Sequence, residues 1–423
     1  MSVLHKKAML LNPDIRNLAS EQVETREHRL HRKTLVVTWS LPPALIGSSQ
    51  IISSLANAFS SKEMVLAGER WPGPRNNQWD DGGGLRPEIH FVHKQWPFRF
   101  QRTVRLFLFP IVLWRLWRVF KRTGCQQVLG IFPNEYYLIA AYCVARWAGV
   151  PFYSYFHNTY LDNRRGIKRL FAKWFQPKVF EASKIIFVMS DGMKEFLEPA
   201  YPGRQFVPLV HTFDETIPET PANKPIGTTL KLAFMGSVNE SNREAMSRFA
   251  PAMARLDDCV LTTYSGSPES EFAKIGLPSS NKVVHKRVAF HEVTTALREH
   301  DILLLPHGFH GGLNQIEYET IFSTRTTGYL VSGIPVIAHS PKNSFLNRWL
   351  KEHDCAEIVD SPDVNQLVAA IQRLRKDNPR RQQIAQNALN ASRQFLLTNV
   401  VQRFRDSIND PKSTATLSGE CPS

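Results

Sequence analysis

The amino-acid sequence predicts an α/β protein of two doubly wound domains, each a parallel sheet with helices on both faces. Three observations predict it. Short runs rich in Val, Ile, Leu and Phe alternate with helix-length amphipathic segments along most of the chain. A stretch of Pro, Glu, Thr and Gly near residue 214 interrupts that alternation, which then resumes. At 423 residues the chain is also too long for one ordinary core and comfortable for two.

Residues 1–33 read as a polar extension mixing Lys, Arg, Glu and Asp, without an apolar run of export-signal length. The first domain spans 34–213. Leu35-Val36-Val37-Thr38-Trp39 is its first strand, and a loop follows carrying Gly47-Ser48-Ser49. A helix comes next, with apolar spacing at Ile51, Ile52, Leu55, Ala58 and Phe59. Further strands are predicted at 127–131, 152–155 and 184–189, with helical patterns between them, for example over 138–148. Residues 214–230 form the linker. The second domain, 231–379, has strand runs at 231–235, 260–264, 282–285, 302–305 and 335–338. Residues 380–409 read as a final helix, and 410–423 as a disordered tail.

Apolar residues make up 43% of the chain, which describes a globular protein. Five widely spaced cysteines, Cys125, Cys143, Cys259, Cys355 and Cys421, include no Cys-x-x-Cys pair. They suit a reducing cytoplasm rather than a disulfide framework or a zinc site. No Asp-x-Asp and no ligand-spaced His/Cys/Asp cluster occurs, so no metal and no other cofactor is expected.

The formal charge of +14 is concentrated in the first domain. Between residues 99 and 173 thirteen Lys and Arg stand against two acids, Glu135 and Asp162. No nucleic-acid module accompanies that charge, so nucleic acid is not the expected partner and an anionic membrane surface is. Within the cluster, segment 104–122 has only nine uncharged residues in a row, Leu106 to Trp114, where a membrane span needs about 20. It reads either as a core helix with an exposed basic face or as an interfacial helix. In the second case Trp and Phe enter the headgroup layer while Arg115, Arg118 and Arg122 share one face.

The most informative segment runs from Ile316 to Ala338. An acidic loop containing Glu317 and Glu319 precedes a hydroxyl pair, Ser323-Thr324, and then Arg325 at a predicted helix start. A Gly333-Ile334-Pro335 stop and an apolar strand follow. Either Ser323 or Thr324 is suited to cap the helix. Free N–H groups of its first turn, including that of Thr326, the helix dipole and Arg325 would then form an anion site fit for a diphosphate.

This segment resembles the donor-nucleotide signature of family 4 glycosyltransferases, a Thr-Lys/Arg-x-x-Glu-Tyr-Leu-x-x-Gly-x-Pro-Val run. The resemblance extends from about Leu35 to Ile408. Leu304-Leu305-Pro306 and Ala338-His339-Ser340-Pro341 match the family's flanking phrases. It implies the GT-B architecture, two Rossmann-like domains facing a cleft. It also implies transfer of a sugar from a nucleoside diphosphate sugar with retention of configuration, and a final helix crossing back to the first domain. In such sheets ligands bind beyond the carboxyl ends of the strands.

On that resemblance Gly236-Ser237, after the first strand of the second domain, would approach the donor phosphates. Gly47 would do so from the equivalent turn of the first domain. The segment ending at Val288 would offer backbone to the nucleobase. His157, beyond the strand starting near Phe152, would contact the transferred sugar, and an imidazole of ordinary pKa offers either proton state near neutrality. Two departures stand out. Asn158 follows His157 where relatives often carry Asp, and Gly328 replaces the Glu whose carboxylate holds the ribose hydroxyls. Glu317 and Glu319 are the carboxylates left nearby to serve sugar or ribose.

The expected protein is a cytoplasmic glycosyltransferase, peripheral on the inner face of the membrane and acting on a surface glycan or lipid-linked acceptor. Its rivals are a non-catalytic homologue that binds nucleotide sugar or glycan as an assembly partner, and a sugar-nucleotide epimerase of the same architecture.

Overall fold

The computed structural model describes residues 30–41, 47–70, 86–94, 101–213, 216–222, 225–288 and 292–410. Most of the predicted N-terminal extension, the loop 42–46 and the tail from 411 onward lie outside them.

The first domain contains strands β1 (Thr34–Thr38), β2 (Met64–Arg70), β3 (Glu88–Lys94), β4 (Gln127–Phe132), β5 (Phe152–Phe156), β6 (Ser183–Val188) and β7 (Phe206–Pro208). Its helices are α1 (Gly47–Ala56), α2 (Gln101–Thr123), α3 (Glu135–Ala148), α4 (Ile167–Ala182) and α5 (Asp191–Leu197). The second domain contains β8 (Leu230–Met235), β9 (Cys259–Tyr264), β10 (Val283–Lys286), β11 (Ile302–Pro306), β12 (Val336–His339) and β13 (Glu357–Val359). Its helices begin with α6 (Arg243–Ser247), α7 (Phe249–Arg255), α8 (Glu269–Ala273), α9 (Val293–Leu297), α10 (Gln315–Thr320) and α11 (Arg325–Ser332). They continue with α12 (Phe345–Glu352), α13 (Val364–Lys376), α14 (Asn378–Ser392) and α15 (Leu397–Asn409).

Both sheets are parallel, in the orders β3-β2-β1-β4-β5-β6-β7 and β10-β9-β8-β11-β12-β13. Every residue of β1, β4, β5, β11 and β12 is buried, which is why these strands read as unbroken apolar runs rather than as alternation. The strand order reverses between β1 and β4 and between β8 and β11, the two places where such sheets open a crevice for ligands.

Right-handed crossovers put α2, α3 and α4 on one face of the first sheet. Trp117 meets Trp147 at 6.4 Å between α2 and α3, and Tyr142 meets Phe175 at 5.6 Å between α3 and α4.

The predicted single helix over 380–409 is two helices. Arg393–Phe395 form a 3-10 turn, and Leu396 is extended (φ −55°, ψ 140°) so that it can bridge Phe213 of the first domain. Only α15 crosses. It buries Val400, Val401, Phe404 and Ile408 in the first core, where Phe404 packs edge-on to Phe59 at 5.6 Å. A second correction concerns the acidic loop before Ser323, which is helical. The Asn314 side chain accepts from the Ile316 N–H and nucleates α10, so Glu317 and Glu319 sit on a rigid element.

Candidate functional site in the cleft

The second domain contributes a cationic lip. Gly236 ends β8 with φ +109°, a conformation that favours glycine, and its N–H is held by the Tyr264 carbonyl. A Cβ at this position would come within 3.3 Å of the Arg325 guanidinium. That guanidinium lies 5.2 Å over the Phe234 ring and donates to the Ser237 carbonyl at 3.4 Å. The adjacent pair Gly236-Ser237 and Arg325, 88 residues beyond Ser237, thus share one spot at the carboxyl edge of the sheet. Tyr329, one turn further along α11, accepts the Met235 N–H at 2.7 Å and fixes the helix against β8.

The capping expectation needs correction. Thr324 takes the N-cap position in αR conformation, and neither hydroxyl of the Ser323-Thr324 pair caps the helix. The Ser323 carbonyl instead accepts the Thr326 N–H at 2.9 Å. Thr326 is fully buried, its hydroxyl has no hydrogen-bond partner, and its amide is already used, so neither group points outward. The positive charge at this lip is therefore Arg325, with less help from helix amides than the sequence suggests.

The first domain contributes a neutral lip. His157 follows β5 and is buried, its ring edge-on to Tyr155 at 4.4 Å. Burial, helped by His211, pushes its pKa down to about 3, so the imidazole is neutral at physiological pH rather than poised between two states. His211 follows β7 and is held down to about 4 by burial; its Nδ1 is buried without a hydrogen-bond partner. Across the cleft, His307 of the second domain, just past β11, is likewise pushed down to about 4 by burial, and its Nε2 lies 2.6 Å from the Tyr318 carbonyl.

Between the lips Glu317 acts as a clasp. Its carboxylate accepts from Asn158 Nδ2 at 2.6 Å, Asn163 Nδ2 at 2.6 Å, the Thr159 N–H at 3.0 Å and the Thr159 hydroxyl. Burial raises its pKa while those donors oppose the rise. With four bonds taken and the side chain buried, this carboxylate is committed to the other domain rather than offered to a ribose or sugar. Asn158 is thereby explained, because an aspartate there would set a second carboxylate against Glu317 where an amide donates. Ser190 Oγ adds a bond to the Thr320 carbonyl, and Arg348 pairs with Glu195 at 2.6 Å across the same interface.

Of the other predicted residues, Glu319 is half-buried and accepts from Asn343 at 3.1 Å. Gly47 opens α1 beside the undescribed loop 42–46, and Val288 follows β10 with its side chain against the second core. Gly328 lies one turn from Arg325 with open space, since a Cβ there would meet only Met235 Cε at 3.5 Å.

A cavity of about 280 Å³ opens beside the clasp, lined by Phe132, Asn158, Asp162, Asn163, Arg164 and Arg165, with Gly312 to Asn314 opposite. Arg164 pairs with Glu135 at 2.8 Å and lies over the rings of Phe132 and Tyr160. Among the described residues no group of three His, Cys, Asp or Glu could hold a metal ion, and no helix is long and apolar enough to cross a membrane. The sequence reading missed Thr159, Asn163 and His211. Nothing local marks them, since their roles come from what the second domain or a neighbouring strand end brings to them.

Residues 243–406 match the family model described as glycosyl transferase-like. That match takes in most of the second domain and the two helices that follow it. Likeness to solved structures, over about nine-tenths of the chain, shows the GT-B fold. Sucrose-phosphate synthase from Thermosynechococcus elongatus is 13% identical with a TM-score of 0.68, the match covering 90% of this chain and 100% of that one. HepE from Anabaena, solved with UDP and glucose, is 12% identical with a TM-score of 0.65 over 90% of this chain and 100% of that one. A putative UDP-N-acetylglucosamine 2-epimerase from Listeria monocytogenes is 10% identical with a TM-score of 0.56 over 91% and 97%. No curated protein sequence matches.

Proposed function

We propose that the protein transfers a sugar from a nucleoside diphosphate sugar to a glycan or lipid-linked acceptor, with retention and without a metal ion, at the inner surface of a membrane. One observation carries the reading. Arg325 is packed on side-chain-free backbone at Gly236, where β8 ends, so a diphosphate can approach both a fixed guanidinium and main chain. As the glycosidic bond breaks, negative charge grows on the leaving diphosphate, and a positioned arginine stabilises it without reorganising, a contribution of several kcal/mol in such sites. Neutral His157, on the opposite lip, orients sugar or acceptor hydroxyls by hydrogen bonding, as donor or acceptor according to tautomer. A thermal-shift screen against UDP, GDP, ADP and CDP sugars, followed by product analysis with the nucleotide that binds, tests the proposal. Stabilisation by at least one of them and formation of a glycosylated acceptor are expected.

Gly328 favours one rival, a homologue that binds the nucleotide sugar without turnover, because α11 carries no carboxylate for the ribose. Product analysis separates the readings: transfer, binding alone, or interconversion of the free nucleotide sugar.

A further inference from the structure

Helix α4 has two apolar faces. One, with Ala172, Phe175, Val179 and Phe180, is buried against the sheet, as any helix of such a domain requires. The other consists of Ile167, Leu170, Phe171 and Trp174, spaced i, i+3, i+4 and i+7, with exposures of 85%, 69%, 39% and 59%. A continuous stripe of large side chains facing water marks a contact surface rather than scattered surface hydrophobics. Around it stand the exposed Arg165, Lys168, Arg169, Lys173 and Lys178, with Lys178 lying 4.7 Å over the Trp174 ring. The only acid in the helix, Glu181, is at its far end. Apolar and aromatic side chains flanked by cations fit an anionic bilayer, where rings enter the acyl boundary and Lys and Arg stay among the headgroups. Trp147 of α3 and Trp114 of α2, in the same helical layer, are exposed as well.

Position adds the functional content. The loop that lines the cleft cavity ends at Arg164-Arg165, and α4 starts two residues later at Ile167. A bilayer seated on the α4 stripe therefore lies at the mouth of that cavity. We propose that α4 is the membrane-inserting element and that the cavity beside it takes the anionic headgroup of an amphipathic, lipid-linked acceptor drawn from that bilayer. Arg165, exposed at the cavity wall, is the cation available to a phosphate there, since Asn158 and Asn163 are held by Glu317. This rests on the glycosyl-transfer reading and commits it to the lipid-linked class of acceptor.

The test uses the full chain. Wild type should sediment with phosphatidylglycerol/phosphatidylcholine vesicles, far less with phosphatidylcholine alone, and brominated lipid should quench Trp174, identified by difference against W174F. Ile167→Gln with Leu170→Gln and Trp174→Gln should weaken vesicle binding about tenfold or more while thermal stability stays unchanged, since all three side chains are mostly exposed. Dodecyl phosphate should bind more tightly than inorganic phosphate, and Arg165→Gln should weaken the first about tenfold. Equal vesicle binding by wild type and triple variant would overturn the inference. So would equal affinity for the two phosphates, or a vesicle-free dimer that shields Trp174. A protein that passes these tests but binds no nucleoside diphosphate sugar would instead sink the glycosyl-transfer reading.

Discussion

The two lips of the cleft occupy equivalent places, loops beyond the carboxyl ends of parallel strands, yet they differ in charge. The second-domain lip presents a guanidinium over glycine backbone. The first-domain lip presents a buried imidazole held neutral and amide side chains tied to a carboxylate. The strand-end geometry is the same on both sides, so chemistry is assigned by what each loop packs against. Burial lowers the pKa of both groups, but a guanidinium starts near 12.5 and keeps its charge, whereas an imidazole starts near 6.5 and gives up its proton. On the proposed reading the cationic lip holds the diphosphate and the neutral lip handles sugar and acceptor.

The largest expected effect comes from breaking the clasp that joins the lips. Glu317→Ala strands four neutral donors on the first domain, and each buried donor left unsatisfied costs about 1–3 kcal/mol. Calorimetry should show a markedly lower Tm, or the two domains melting separately. A variant as stable as wild type would show that the domains are not held by this carboxylate. Asn158→Asp should destabilise in the same direction, by setting like charges against each other.

Next in size, Arg325→Ala should weaken nucleoside diphosphate binding by about 1.5–3 kcal/mol, the range for a hydrogen bond to a charged group. Unchanged affinity for every nucleotide that binds wild type would remove the cationic lip from the site.

On the other lip, His157→Ala should lower kcat about tenfold or more while leaving donor affinity within about twofold. Because burial holds His157 near pKa 3, its protonation should add no inflection to the wild-type pH–rate profile near pH 6.5. Equal losses in donor binding with kcat intact would place the histidine on the nucleotide side and erase the contrast between the lips.

The smallest effect is a gain. Gly328→Glu has room at Cβ and puts a carboxylate one turn from Arg325, so donor affinity should rise by about 0.5–1.5 kcal/mol through a ribose hydrogen bond. Titration calorimetry would measure it, and a loss of affinity would mean that the ribose lies elsewhere.

Much of this molecule follows from local residue order. Strands such as β11 and β12 are buried on both faces and so must be continuous apolar runs, which made both sheets and the break near 214 legible. Arg325 and Gly236 could be singled out from sequence as candidates for a shared site because glycine at a strand end and arginine at a helix start have local causes, and folding does bring them together. The α4 stripe was also written in the chain, at helical spacing, but a second apolar stripe on the same helix masks it, and only packing decides which one faces the sheet. What the tertiary structure alone decided is the fate of each polar group. Glu317 became a clasp because Asn158, Thr159 and Asn163 lie more than 150 residues away in sequence yet within hydrogen-bonding distance. His157 became neutral because neighbouring strands enclose it. Helix and strand patterns are set by neighbours along the chain, whereas protonation, hydrogen bonding and access to a ligand depend on the surroundings that folding brings together.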